Sequence, residues 1–526
     1  MAYKISNSFD LHKQEKKMMN ALYWFQYFLI LIKIVLFSIF TYIKIRLFGK
    51  SKSISSLSNR DCQIAIIGGG IGGVGAAYAL VESGYKNVTI FEAREQLGGN
   101  AKTHVWQNEI TTGLSVLAWP EIFRNYIHLL KKLDIQTTTV QLPFFLQNKT
   151  DNFIFAHGKS SDYKRELFRW NQMVKLVRQV TEFLCGTERS LYHFSIVNPF
   201  NYIPLRLLSM LFGISNYFWT NIVVPMYASS FLSTKLSFIP SSILPTLDSL
   251  ISLQCERIPT MQSWCQTSID VFEQMTRNII KKTNHHVEKI RIEKLSNEQI
   301  RIFIDDESTV YDRIIFACNP KATMQALNYG QTKTSSLLNL LLSSVTYSDD
   351  DNDTSLLDGF IHRDRNILPK EYVDELCRTY ANYIDIKYDK QTKEFYHYNT
   401  FILSSWLPNV NSMYRDKQIE PMLVTYASYD KPMPIIDSKK IYGKVDNRRA
   451  HPSLSFRNQL IALSIRFVQG EDGMFFCGNS VTPANGHDLS LLSGFAVAEL
   501  IGAKYPFADN VEAWRDYQRF KRMCIN

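Results

Sequence analysis

"AIIGGGIGGVGAAYALVESGYKNVTIFEAREQLGGNAKT" runs from Ala65 to Thr103. The apolar run Gln63 to Ile67 has the length and β-branching of a buried parallel strand, and it breaks into glycine at Gly68. "VGAAYALVESG" then reads as a helix and "NVTIFEA" as a second strand, which makes a βαβ unit. Gly68, Gly70 and Gly73 fill the positions of a G-x-G-x-x-G turn. The first allows the tight turn, the second a close approach to a pyrophosphate, and the third close packing of helix on strand. With Gly69, Ile71 and Gly72 they present the free N–H groups and positive dipole of a helix start to phosphate. Glu92 ends the second strand, about twenty residues beyond the turn, where a carboxylate accepts hydrogen bonds from ribose hydroxyls. The arrangement predicts a dinucleotide site.

The chain has 526 residues, which exceeds one ordinary core and implies two or three domains. Its net charge of +10 suits an anionic membrane surface or anionic ligand groups. The basic residues form no aromatic-interleaved stripe, so nucleic acid is not an expected partner. None of the eight cysteines forms a C-x-x-C pair or a zinc spacing, so they read as reduced thiols and no metal is expected. There is no Walker loop, no G-x-S-x-G and no H-E-x-x-H.

"ALYWFQYFLILIKIVLFSIFTYI", Ala21 to Ile43, carries one charge, Lys33. As a helix it reaches across about 30 Å of hydrocarbon. Tyr23, Trp24 and Tyr27 at one end and Tyr42 at the other match an aromatic belt. The expectation is a transmembrane helix and a single-pass membrane protein; the alternatives are a helix lying in the interface, because Lys33 falls near the middle, and a buried helix of a soluble protein. Lys44, Arg46, Lys50, Lys52 and Arg60 follow the segment and place the large domain in the cytosol.

Past Glu92 the chain continues as Ala93, Arg94, then Gly98, Gly99 and Asn100. This resembles the E-A-R-x-x-x-G-G pattern of the FAD-binding amine-oxidase superfamily, in which the second glycine pair passes the cofactor's diphosphate and ribityl. "VVPMYASSF" (Val223 to Phe231), "FIHRDRNILP" (Phe360 to Pro369) and "RRAHPSLSFRNQ" (Arg448 to Gln459) extend the likeness, which is closest to the NAD/FAD-binding flavoproteins associated with cyclopropane-fatty-acid synthases. His487-Asp488 stand where that group has His-Glu-Asp, Thr112 where it often has an acid, and "SWCQTSIDVF" lacks its Gly-Gly-Ser.

The resemblance implies FAD, bound non-covalently because no cysteine has the S-G-G-C context of flavin linkage. It implies a glutathione-reductase-like two-domain α/β fold: a Rossmann-type FAD-binding domain with an inserted α+β substrate domain. The FAD domain is expected at 61–150, 270–335 and 440–512, the substrate domain at 151–269 and 336–439, and tails at 1–60 and 513–526. In "GMFFCGNSVTPANGHDLSLLSGFAVAELIGA", Gly473 to Ala503, a strand ends at Gly478 and Asn479, and Ser493-Gly494 open a helix. In the family this returning segment closes over the ribityl and aims a helix N-terminus at the flavin. The backbone of Val287 is expected at the adenine. "FNYIPLRLLSMLFGISNYFWTNIVVPMYASSFLSTKLSFIP" is expected either to line a lipid pocket or to form an ordinary helical core.

The flavin carries the redox chemistry in such a protein. His487 is the catalytic candidate, to orient substrate or hold a proton, and His362, Trp406 and His451 are candidate substrate-lining residues. The expected function is an amine-oxidase-type FAD-dependent oxidoreductase accepting a hydride at N5 from an amine or lipid-like substrate, reoxidised by molecular oxygen or an electron-acceptor protein. The alternatives are a redox-neutral FAD-dependent isomerase and a non-catalytic, flavin-stabilised membrane scaffold.

Overall fold

The computed structural model describes residues 29–30, 32–40, 43, 59–101, 103–106, 110–113, 116–159, 163–185, 198–231, 236, 239–295, 299–347, 358–391, 394–417, 420–427, 431, 433–446 and 451–525. Two layered domains share a cavity. The first is built on five parallel strands: β1 (Gln63–Ile67), β2 (Asn87–Phe91), β3 (Ile280–Lys282), β4 (Arg313–Phe316) and β5 (Met474–Phe476). Their order across the sheet is β5-β4-β1-β2-β3. β1 is apolar and almost wholly buried, as a central parallel strand covered on both faces must be.

Helix α1 (Ile71–Glu82) follows β1, and helix α2 (His487–Ile501) follows β5; each is buried on nearly all sides. They touch backbone to backbone. A Cβ added to Gly494 of α2 would stand 2.1 Å from the Gly72 carbonyl oxygen of α1, and one added to Gly72 would stand 2.8 Å from the Gly478 Cα. Glycine is what permits this approach. Gly68 ends β1 at φ +111, and a Cβ there would meet the Ala317 carbonyl oxygen at 2.7 Å.

The second domain carries a seven-stranded sheet. Its strands, in spatial order, are Ile441–Asp446, Asp358–His362, Leu423–Ala427, Glu394–Ile402, Asn382–Asp389, Phe144–Asn148 and Phe153–Ala156. Strands 144–148 and 441–446 therefore belong here, although the sequence boundaries assign both to the FAD domain. The helix Ser336–Ser344, expected in the substrate domain, buries Leu337, Leu338, Leu341 and Leu342 with β1, β4 and β5 residues in the first domain. The C-terminal segment is no loose tail. Val511–Cys524 is a helix capped by the Asn510 side chain, and Tyr517 and Phe520 are buried in the core with α1 and α2.

Most of the 200–231 stretch is packing. Phe200, Leu205, Phe218, Trp219, Ile222 and Met226 make a helical core against the sheet, and among the described side chains of this stretch only Ser229 reaches the cavity wall.

No described helix is long and apolar enough to cross a membrane. The described part of the expected anchor, at 29–30, 32–40 and 43, is helical; the remainder of 21–43 lies outside the described residues. Ile34 is fully buried against the first domain, and the Ser38 hydroxyl donates to Ser464 Oγ at 3.0 Å. Leu36, Phe40 and Ile43 face outward, exposed by 59%, 68% and 47%. The centre of the apolar segment thus lies on the protein body instead of standing clear of it.

Candidate functional site

A cavity of about 630 Å³ opens between the two domains. One end is the glycine cradle: Gly68, Gly70, Ile71, Gly72, Glu92, Ala93, Arg94, Gly98, Gly99 and Asn100 line it. His285, Val287, Cys318 and Asn319 close the same end, and Gly478, Asn479, Gly486 and His487 continue it from the returning segment.

The cradle is stiff. Glu92 is buried; its Oε2 accepts from the Gly69 N–H at 2.8 Å and its Oε1 from the Arg94 N–H at 3.0 Å. Arg94 Nη1 donates to the Gly99 carbonyl at 2.9 Å. Glu92 therefore fixes the two glycine turns against each other as well as facing the cavity. Gly70 has ordinary extended backbone (φ −76, ψ 174), and a Cβ there would meet nothing nearer than Gly99 Cα at 3.8 Å. The space beside Gly70 is thus free for a ligand, whereas the space beside Gly72 is filled by protein.

The residues fit FAD. A trough runs from Glu92 and Val287, which would hold an adenosine, past Gly70 and Gly99, which would flank a diphosphate, to the N-terminus of α2, where Gly486 and His487 line the cavity. The positive end of a 15-residue buried helix favours negative charge at that point. Among the described residues no group of three or more His, Cys, Asp or Glu side chains is placed to hold a metal.

Four of the expected cofactor residues stand behind the wall. Gly69 donates to Glu92, and Gly73 lies against Gly68, where a Cβ would meet the Gly68 oxygen at 2.1 Å. The Ser493 hydroxyl accepts from the Gly478 N–H at 2.8 Å, and Gly494 seats α2 on α1. These residues shape the cradle without lining it.

His487 lines the cavity as the first residue of α2. Its ring stands edge-on to Tyr126 at 4.6 Å, and its Nε2 is buried with no partner among the described residues. Burial pushes its pKa down to about 3. A ring held neutral in this way keeps a single N–H and presents one donor and one acceptor nitrogen as a neutral hydrogen-bonding group. Trp406 and His451 line the cavity, and the Trp406 Nε1 has no partner among the described residues.

His362 does not line it. In the sheet, Phe360 lies opposite Thr425, and His362 opposite Leu423, on the face turned from the cavity. His362 is fully buried, with Nε2 2.8 Å from Thr425 Oγ1. The cavity face is instead carried by Phe144, Asn382, Phe401 and Val424, a directly opposed row across four strands, with Tyr426 beside them. Leu142, Leu250, Ile251 and Met261 add to the wall. These residues come from separate segments, and only the sheet register identifies them.

Comparison with known proteins agrees with this architecture. Residues 66–133 match the family model for an NAD(P)-binding Rossmann-like domain. Over 104 residues the chain is 32% identical to tryptophan 2-monooxygenase of Allorhizobium ampelinum, covering 19% of this chain and 14% of that one. The enzyme of the same name from Pantoea agglomerans pv. gypsophilae is 32% identical over 80 residues, again 14% of its length. The chain thus spans about a seventh of these curated relatives. Whole-chain likeness is to solved structures. A CLA-producing fatty acid isomerase from P. acnes superposes with a TM-score of 0.57 at 14% identity, covering 84% of this chain and 99% of that one. Cyclohexylamine oxidase from Brevibacterium oxydans gives 0.54 at 12% identity, with coverage of 84% and 99%. The fold is the one these solved structures share, and the cofactor that fits the residues of the cradle is FAD.

Proposed function

We propose that this chain is an FAD-dependent oxidoreductase acting on an apolar, uncharged, lipid-like substrate. One observation supports this reading above the amine alternative. Outside the cradle residues Glu92 and Arg94, no Asp, Glu, Lys or Arg lines the described cavity. A buried ammonium without a counter-charge costs several kcal/mol, so a cationic amine is poorly matched to walls of Leu142, Phe144, Leu250, Ile251, Met261 and Phe401. When bound, FAD supplies a hydride acceptor at N5. The chain's own residues orient the substrate, exclude water and hold the cofactor: the aromatic and aliphatic walls confine a chain, and the N-terminus of α2 stabilises negative charge.

A redox-neutral isomerisation is the second reading. The same neutrality supports it, because returning a hydride to the same carbon chain leaves no net proton for the wall to accept, and His487 is a poor acceptor. Attachment to a membrane is part of the proposal. The outward face of the 29–43 helix, with Leu36, Phe40 and Ile43 exposed, suits the acyl boundary of a bilayer, so the helix lies along the surface. Reoxidation goes to molecular oxygen or an electron-acceptor protein.

Anaerobic addition of oleyl alcohol and of methyl oleate to the yellow holoprotein tests the reading. Bleaching of the visible flavin band supports net oxidation, and altered lipid without bleaching supports isomerisation. Bleaching by primary amines with no response to either lipid overturns the apolar assignment. Acid precipitation is expected to leave the flavin in the supernatant, and colour retained in the pellet refutes non-covalent binding.

A further inference from the structure

The apolar wall contains a buried amide. Asn382 begins the strand Asn382–Asp389 and sits between Phe144 and Phe401 in the row that faces the cavity. It is 1% exposed and lines the cavity. Its Nδ2 donates to Asn399 Oδ1 at 3.3 Å, while its Oδ1 has no partner among the described residues. Asn399, two residues from Phe401 and on the same face, is fully buried and leaves its own Nδ2 without a partner. A buried amide atom left unpaired is destabilising, and a wall of this kind is better filled by leucine.

We propose that Asn382 is a specificity-determining residue that receives a neutral hydroxyl of the substrate. The inference rests on the apolar reading of the cavity given above. It holds for either orientation of the two amides. As drawn, Asn382 Oδ1 is free and accepts from the hydroxyl. With both amides turned, Asn399 Nδ2 donates to Asn382 Oδ1, and Asn382 Nδ2 is free to donate to the same hydroxyl oxygen. A hydroxyl, being donor and acceptor at once, is served by both. A carboxylate is not, because no cation lines this part of the wall. The preferred substrate is therefore an apolar chain bearing an alcohol, whose hydroxyl bonds to Asn382.

The test uses holoprotein and two probes, octan-1-ol and octane, with binding read from perturbation of the visible flavin spectrum. The quantity of interest is the ratio of the two affinities. Replacing Asn382 by the near-isosteric leucine (N382L) is expected to shift that ratio about tenfold towards octane, the weight of one buried hydrogen bond. N382S, which keeps a hydroxyl, is expected to restore part of the preference. A ratio in N382L equal to that of the wild type overturns the proposal. If N382L does not hold flavin, the same comparison on N382S and on the wild type with 1-methoxyoctane decides. An alcohol preference that N382S leaves equal to that of the wild type, or that the wild type does not show over 1-methoxyoctane, overturns it. Binding of both probes without discrimination removes Asn382 alone, whereas binding of neither removes the apolar chamber with it.

Discussion

Replacing Gly494 and Gly70 by alanine separates two uses of glycine in one cofactor site. At Gly494 the new Cβ falls 2.1 Å from the Gly72 carbonyl oxygen and 2.8 Å from the Ala76 nitrogen, both backbone atoms. An ordinary contact begins near 3.4 Å, so α2 must retreat from α1 by 1.3 Å (3.4 less 2.1). Overpacking that moves backbone costs about 3 kcal/mol, the upper end for inserted methylenes, which lowers the melting temperature of a domain this size by about 6–12 °C. At Gly70 the backbone is extended, and the nearest atom to a new Cβ is 3.8 Å away, so G70A strains nothing in the apoprotein. The Cβ instead occupies the space left for diphosphate, and a ligand clash of about 1–3 kcal/mol weakens FAD about 5- to 150-fold. The assay is thermal melting of flavin-stripped protein, followed by FAD titration of the same samples. G494A is expected to melt low in the apo form; G70A is expected to melt as the wild type does and to bind FAD poorly. An apo G494A melting within about 2 °C of wild type refutes the close approach of the helices. An apo G70A as damaged as G494A refutes the free cradle.

Glu92→Ala is expected to lose FAD while Glu95→Ala is not. Glu92 is buried on two backbone N–H groups and Glu95 is exposed; a charge-assisted bond contributes about 1.5–3 kcal/mol, and equal flavin content in both variants counts against the assignment. His487, ordinarily near 6.5 and held at about 3, binds no proton in the folded state over a range where the unfolded chain does. Stability is therefore lost as pH falls from 6.5 towards 3, and H487Q is expected to flatten that loss by up to about 1.4 kcal/mol per pH unit, read from urea midpoints between pH 6 and pH 4. An unchanged slope, or a reduction-rate titration near pH 6.5 that disappears in H487Q, would refute the neutral ring. Deleting residues 1–58 is expected to release the protein from membranes with flavin retained and to lower the melting temperature, because Ile34 and Ser38 no longer cover the first domain; a truncated protein that still pellets with membranes points to a second attachment surface.

The cofactor cradle was legible in the sequence because its determinants are local. Strand, turn, helix and acidic strand end follow one another within Gln63–Glu92, and Gly68, Gly72 and Gly73 each have a steric reason at their own position. The substrate wall was not legible. Phe144, Asn382, Phe401 and Val424 meet only through the register of four strands drawn from distant segments, and a strand's alternation does not say which face turns inward. His362 shows the cost of that ambiguity: its alternation permits either face, and pairing with Leu423 sends it away from the cavity. Asn382 was invisible for a related reason, since asparagine at the start of a strand reads as a turn residue. The domain crossings were misplaced by about one strand because 144–148 and 441–446 have no local mark of the sheet they join.

The contact of Gly494 with Gly72 has a consequence for the order of assembly. The glycine turn is synthesised long before the helix that seats it and the sheet-edge strand before that helix, both of which lie beyond residue 470. A nascent chain carrying β1, α1 and β2 lacks the backbone surface on which α1 rests. That contact closes across most of the chain, and so late in folding. FAD capture thus reports on completeness: a chain stopped short of α2 presents the glycine signature without the wall behind it, and bound flavin marks a molecule whose α2 has docked on α1.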